Sequence, residues 1–369
     1  MKAAFVLAAA VAVAVVPLPA SASVDSPLDQ VQSDSATSGS GEMTAVVAIS
    51  PTDVWAAGYI GRRSGGYEPV MRHWDGKRWS DVAIAGIDGY FQEMSAAGPD
   101  DIWVVGENSG GHSTAAHWDG KSWTPIETPD EPGEYVGMRS LVAISSTNVI
   151  ATGYYCLSGE PPCYDFTLRW NGKRWYDVPE VGPGIHTFTA VSPSDAWGFG
   201  AKDGHAIAKH WDGASWHRVR LGRAGANVSV TSASAVSSDD VWAAGAKRDD
   251  AGHIAGTFTM HWDGKSWTRV RDAVHDVGQE SLSALAASSP NNVWAIGNNT
   301  GNSTLIERWD GHRWQVVPNP TDDDTDTQLR SVASLGPNDV WVVGRQDPDG
   351  DSPDTELTMH WDGSTWTVF

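Results

Sequence analysis

From residue 43 onward, short apolar runs alternate with clusters of Gly, Pro, Asp, Asn and Ser, and no sustained 3.6-residue period interrupts them. The pattern is one module used repeatedly. Residues 50–79, SPTDVWAAGYIGRRSGGYEPVMRHWDGKRW, hold a complete copy: an Asp, one apolar residue, a Trp, a Gly three residues later, then a second Trp followed by Asp-Gly and a third Trp five residues on. The first anchor falls at Trp55, Trp103, Ile150, Trp197, Trp242, Trp294 and Trp341, a spacing of 45 to 52 residues. Second Trp residues stand at 74, 118, 170, 211, 262, 309 and 361, and third ones at 79, 123, 175, 216, 267, 314 and 366. These positions use all 20 tryptophans, so Trp belongs to the module. Self-similarity at this period marks a solenoid, an array or a propeller.

Each copy reads as four short strands. The first is rich in Ala, Ser and Val (residues 43–49, 141–144, 283–287 and 329–334), as an innermost strand around a crowded axis requires. A turn such as Ser50-Pro51-Thr52-Asp53 follows, with Pro presetting φ and the Asp able to bond its own backbone. The second strand carries the first Trp, and the third ends at the second Trp. Asp-Gly, or Asn171-Gly172 in the third copy, is a strong hairpin signal before the fourth strand. Equal spacing of seven such units argues for one closed body, because a ring buries both faces of every sheet. The expected fold is all-β, a seven-bladed β-propeller of four-stranded antiparallel blades over residues 43–369, with the tryptophans as wedges between blades.

The segments DVWAAG, DIWVVG and DVWVVG, each followed by an HWDG turn and a Trp, resemble the secreted bacterial β-propeller repeat proteins with DVWAVG…HWDGxxW modules, grouped loosely with galactose-oxidase-like or kelch-like propellers. The resemblance covers residues 43–369 and implies the fold and an exported setting. It implies no particular activity, since propellers serve many. The third copy departs from the pattern at Ile150, Arg169 and Asn171.

Lys2, the apolar run 3–16 and the small-residue site Ala20-Ser21-Ala22 match a secretory signal peptide over residues 1–22. The run is shorter than the ~20 residues that span a bilayer, so no membrane association is expected after cleavage. Residues 23–42 read as a flexible polar leader, and the expected location is extracellular. The formal net charge of −21 disfavours nucleic acid as a partner. Cys156 and Cys163 are the only cysteines, and a pair this close in an exported protein is read as a disulfide. A monomer is expected.

No phosphate loop, nucleophile elbow or zinc-protease motif is present. His73, His117, His210, His261 and His360 precede second tryptophans in different copies, which places them apart around the ring as structural residues. The repeated Asp of each Asp-Gly pair is read as a turn former, and no unique acidic pair stands out for glycoside hydrolysis. The interval from the strand-two Gly to the second Trp runs 16, 12, 17, 11, 17, 12 and 17 residues, so one end of the ring carries the variable loops. Seven of the eight tyrosines, Tyr59, Tyr67, Tyr90, Tyr135, Tyr154, Tyr155 and Tyr164, lie in or beside those loops in the first three copies and form the candidate binding site. Asp347, Asp349 and Asp351, with Asp324 and Asp326 in the preceding connection, form a candidate calcium site, with no other cofactor expected. The function expected is an extracellular binding protein for a glycan or a secreted protein. The alternative is a glycan-active hydrolase or lyase working from the variable-loop face.

Overall fold

A computed structural model describes residues 40–62, 65–129, 135–157, 163–202, 205–273, 280–298, 304–321, 327–346 and 353–369. All lie in the larger of two compact units, Thr37–Phe369; the other, Met1–Ala36, is outside the described residues, as is the expected signal peptide. The structure is a seven-bladed β-propeller. Each blade is a four-stranded antiparallel sheet built from four consecutive strands, and the only helix among the described residues is a 3-10 turn, Gly222–Gly225. The innermost strand of blade 1, Gly41–Ser50, begins two residues before the expected start of the propeller and so takes in Glu42.

No blade borrows a strand. Blade 7 ends on its own outer strand, Trp366–Val368, and blade 1 begins on its own innermost one. Their seam is held by contacts of several kinds. Trp341 packs on Trp74 and Trp79 with ring centroids 5.4 and 5.3 Å apart, Arg72 meets Glu356 at 2.8 Å, and the backbone N–H of Gly41 donates to Asp354 O at 2.8 Å.

The same tryptophan geometry closes the other seams. The strand-two Trp of one blade lies against the second and third Trp of the next: Trp55 on Trp118 and Trp123, Trp103 on Trp170 and Trp175, Trp242 on Trp309 and Trp314. Trp103, Trp197, Trp242, Trp294 and Trp341 are at most 2% exposed, so each removes most of its surface from water. At about 25 cal/mol per Å² over ~200 Å², each contributes several kcal/mol as an upper estimate. In blade 3, Ile150 leaves a smaller wedge. Phe188 and Val181 complete that seam, with Phe188 set edge-on to Trp216 at 5.9 Å.

The module histidines are framework. Each stacks on the strand-two Trp of its blade at 4.3 to 4.5 Å and bonds the Asp that opens that strand at 2.8 to 2.9 Å, as His117 does with Trp103 and Asp101. Blades 3 and 6 exchange both partners together. There an Asn accepts from an Arg, Arg169 Nε to Asn148 at 2.8 Å and Arg308 Nε to Asn292 at 3.1 Å. The donor and acceptor change as a pair, which preserves the bond.

One irregularity recurs in every innermost strand and explains the module's Gly. A β-bulge inserts an extra residue, Thr44, Gln92, Arg139, His186, Thr231, Ser283 or Arg330, beside the strand-two Gly. The bulge presses a backbone carbonyl towards that Gly: a Cβ on Gly58, Gly106, Gly153, Gly200, Gly245, Gly297 or Gly344 would lie only 1.5 to 2.1 Å from a carbonyl oxygen in the innermost strand or, for Gly200, just before it. No side chain fits there.

Candidate ligand-binding cleft

The seven innermost strands surround an axial channel of about 320 Å³. Hydroxyls stitch its wall: Ser95 accepts from Ala143 N at 2.9 Å, Ser232 from Leu285 N at 3.0 Å and Ser331 from Val46 N at 3.3 Å, each across a seam. Glu93 also faces this channel, and enclosure by protein raises its carboxyl to about 7, against a smaller lowering by the N–H of Met94.

At the variable-loop end the channel opens into a cleft of about 870 Å³ over blades 7, 1, 2 and 3. Its floor is built from matching cross-strand pairs. In blade 1, Glu42 on the innermost strand sits opposite Tyr59 on the second; in blade 2, Tyr90 sits opposite Glu107, the same pair with its members exchanged. Tyr59 Oη donates to Glu42 Oε2 at 2.7 Å, and Tyr90 Oη donates to Glu107 Oε2 at 2.9 Å. Burial first, and then its bond to the Glu42 carboxylate, holds the Tyr59 phenol well above its ordinary range, so it remains a donor. Arg330 from blade 7 bonds the other oxygen of Glu42. Tyr67 joins Tyr59 and Tyr90 in an edge-on trio with centroids 4.8 to 5.8 Å apart. Gly137 leaves room beside this floor, since a Cβ there would lie 2.9 Å from Glu107 Oε2.

Blade 3 closes the far side. Tyr154 lines the cleft with the Arg139 guanidinium over its ring, 3.9 Å from the centroid. Beyond Arg139 a second cavity of about 400 Å³ continues the groove towards Asp165 and His186. Burial lowers the affinity of His186 for a proton, opposed by the charge of Asp165. The disulfide Cys156–Cys163 joins the second and third strands of blade 3 at the edge of this cavity. On blade 2 the turn 108–112 is fixed by Asn108 Oδ1, which accepts from Gly110 N at 2.9 Å and His112 N at 3.1 Å.

Of the seven candidate tyrosines, Tyr59, Tyr67, Tyr90 and Tyr154 line this cleft. Tyr155 and Tyr164 do not. Adjacent residues of a strand point to opposite faces, so Tyr155 turns away from Tyr154, packs on the core between blades 2 and 3 and stacks on Tyr164 at 5.4 Å. Tyr135 pairs with Cys156 through the backbone, and its side chain is outside the described residues. So are Asp324, Asp326, Asp347, Asp349 and Asp351, the candidate calcium ligands.

The sequence reading missed Glu42, Glu107, Gln92, Arg139 and Arg330. A signal for the bulge residues was available, because each stands fourteen positions before the strand-two Gly of its blade, as Thr44 does before Gly58 and Arg330 before Gly344. Elsewhere a groove of about 770 Å³ follows the outer strand of blade 4, but no Tyr, Trp or Phe lines it.

No family model and no curated protein matches the chain. Solved structures do. The β-propeller domain of the Trilobed protease from Pyrococcus furiosus, described as having an open velcro topology, aligns at 10% identity over 89% of this chain and 95% of that one, TM-score 0.56. YCF48 bound to D1 peptide aligns at 15% identity over 88% and 94%, TM-score 0.54. The SapL1 lectin in complex with alpha methyl fucoside aligns at 15% identity over 90% and 96% with a TM-score of 0.47, too distant to bear on function. The first two likenesses support the propeller architecture.

Proposed function

We propose that the chain is an exported binding protein whose ligand, a saccharide, lies in the cleft at the variable-loop end of blades 1 to 3. The observation that carries this reading is the convergence of four tyrosines from three separate repeats on one polar cleft. Flat aromatic faces take the apolar faces of sugar rings, and the carboxylates, amide and guanidinium between them suit hydroxyls; a site with a few placed polar groups among aromatic walls is the usual form of a small-ligand pocket. Export is supported by residues 1–22 as read from the sequence and by the disulfide, which an oxidising compartment would maintain.

The test is a glycan array probed with the exported chain, followed by calorimetric titration of the hits. Tyr67 is 45% exposed in the cleft wall, so Tyr67→Ala should weaken binding at least tenfold and leave the melting temperature within about a degree, as surface substitutions usually do. Undiminished affinity in that variant, or an array without hits, overturns the reading. A second reading rests on Glu42 and Glu107 sharing the cleft, two carboxylates of the kind that glycoside hydrolysis needs. Release of new reducing ends from a bound oligosaccharide, abolished in Glu107→Gln, would favour it.

A further inference from the structure

The bulge position shows what a framework residue does there and where the chain has given that role up. In blades 1, 5 and 6 the bulged residue is a hydroxyl that bridges to the next blade: Thr44 donates to Phe91 O at 2.8 Å, Thr231 to Leu282 O at 2.6 Å and Ser283 to Leu329 O at 3.0 Å. In blades 7, 2, 3 and 4 it is Arg330, Gln92, Arg139 and His186, all capable donors and none acidic, in a chain with 46 acidic residues against 25 basic ones. All four line the cleft or its continuation.

Blade 3 shows that the exchange is compensated. Its tie to blade 4 is made instead by Thr152 on the second strand, which donates to Ile185 O at 3.3 Å and to Phe166 O at 2.6 Å. The acceptor, Ile185 O, precedes the bulge of blade 4 as Phe91, Leu282 and Leu329 precede theirs. Moving that bond onto Thr152 releases Arg139 from the framework. Among the described residues the Arg139 guanidinium has its stack on Tyr154 and no ion pair or hydrogen bond, and the Gln92 amide beside it also has no hydrogen-bond partner. The carboxylates facing the same two cavities are all engaged: Glu42 by Tyr59 and Arg330, Glu107 by Tyr90, and Asp165 by Gly184 N at 3.0 Å. What the cleft leaves unmet is therefore donor capacity. A guanidinium centred over an aromatic ring, as Arg139 is over Tyr154, keeps N–H groups at its rim for a planar anion, and a carboxylate can match two of them with parallel bonds. The acidic surface elsewhere is screened beyond about 8 Å at physiological salt, so it opposes approach more than contact.

We propose that the saccharide taken by this cleft is an acidic one, and that Arg139 binds its carboxylate across the step between the two cavities, with Gln92 beside it on a ring hydroxyl. This deepens the saccharide reading and rests on it. The experiment is an array of uronate- and sialate-containing glycans beside their carboxyl-reduced and sulfated counterparts, probed with the exported chain, then titration of the best carboxylated hit against Arg139→Gln, Arg139→Lys and Arg218→Gln. The expected result is at least tenfold preference for the carboxylated form over its reduced counterpart. Arg139→Gln should erase that preference, Arg139→Lys should restore only part of it because an ammonium lacks the planar fork, and Arg218→Gln on the outer strand of blade 4 should leave it unchanged. Equal binding of reduced glycans, preference for sulfate, or retained discrimination in Arg139→Gln overturns the inference. If neutral glycans bind and Tyr67→Ala weakens them, the saccharide reading stands while this one fails. An array with no hit overturns both.

Discussion

The two ends of the ring are made of the same strands and are fixed in opposite ways. At the closed end every blade uses one solution. The turn residue at Asp75, Asp119, Asn171, Asp212, Asp263, Asp310 or Asp362 accepts backbone N–H bonds from the residues two and three positions on, at 2.8 to 3.0 Å. The following Gly has φ between 84° and 99°, which only Gly adopts without strain. In blades 1 and 3 to 7 the second Trp then donates from Nε1 to a carbonyl of the neighbouring turn, 3.1 to 3.3 Å away, and latches the two turns together. Among the described residues of the open end no side-chain bond is common to all blades; the bulge backbone is constant, and what stands on it changes. One end therefore holds the ring in shape, and the other is free to vary because of it.

The comparison breaks most visibly at the closed end. Trp103→Ala should destabilise by about 3–5 kcal/mol, the usual cost of emptying a large buried site, measured by chemical denaturation. A loss under 1 kcal/mol would mean that the blade seams do not hold the ring. The disulfide sharpens the contrast, since it is the covalent constraint on the open end. Replacing Cys156 and Cys163 by Ser should cost about 2–3 kcal/mol on the chain-entropy estimate and should weaken ligand binding as well, because the bridge borders the second cavity. Unchanged affinity with lowered stability would confine its role to the fold.

Glu93 lies between the two ends, on the axis. Its carboxyl is raised from 4.5 to about 7 in the folded chain, so the folded state holds a proton that the unfolded state has released. Stability from this group should fall as pH rises from 4.5 to 7 and level off above. Glu93→Gln should remove that fall and raise the melting temperature at pH 8 by a few degrees, with no gain at pH 4; equal shifts at both values would contradict the assignment. The smallest effect belongs to a closed-end turn. Backbone N–H groups of Ser215 and Ala214, and then His217, hold Asp212 down at about 2. Its contribution is present above its unfolded value near 3.9 and is lost as pH falls towards 2. Asp212→Asn, which copies the natural Asn171 turn, should be slightly less stable than the parent at pH 7, converge with it towards pH 2, and so lose less on acidification. An identical acid transition would show that the turn carboxylates do not govern it.

The closed end was legible in the sequence because its determinants are local. Asp-Gly, Ser-Pro-x-Asp and the Trp spacing act within a few residues of themselves, and seven repetitions separate them from chance. The open end was legible only in part. A Tyr near a loop could be seen, but the face it takes depends on strand phase, and so Tyr154 and Tyr155 were grouped though neighbours in a strand must diverge. Glu42 lay hidden because its importance comes from register with Tyr59 and from Arg330 far along the chain. The bulges left no mark in the apolar pattern, since the Ala, Ser and Val of the innermost strands hardly alternate. Only the constant offset to the strand-two Gly betrays them.

Because each blade keeps its four strands to itself, the ring has no privileged starting point. The seam between blades 7 and 1 is sealed by Trp341, Trp74 and Trp79, as other seams are sealed by their own tryptophans. A circularly permuted chain, with Phe369 tethered to Ser40 and new ends opened between any two blades, would have to rebuild no sheet, and the cleft could be carried whole on one side of the cut.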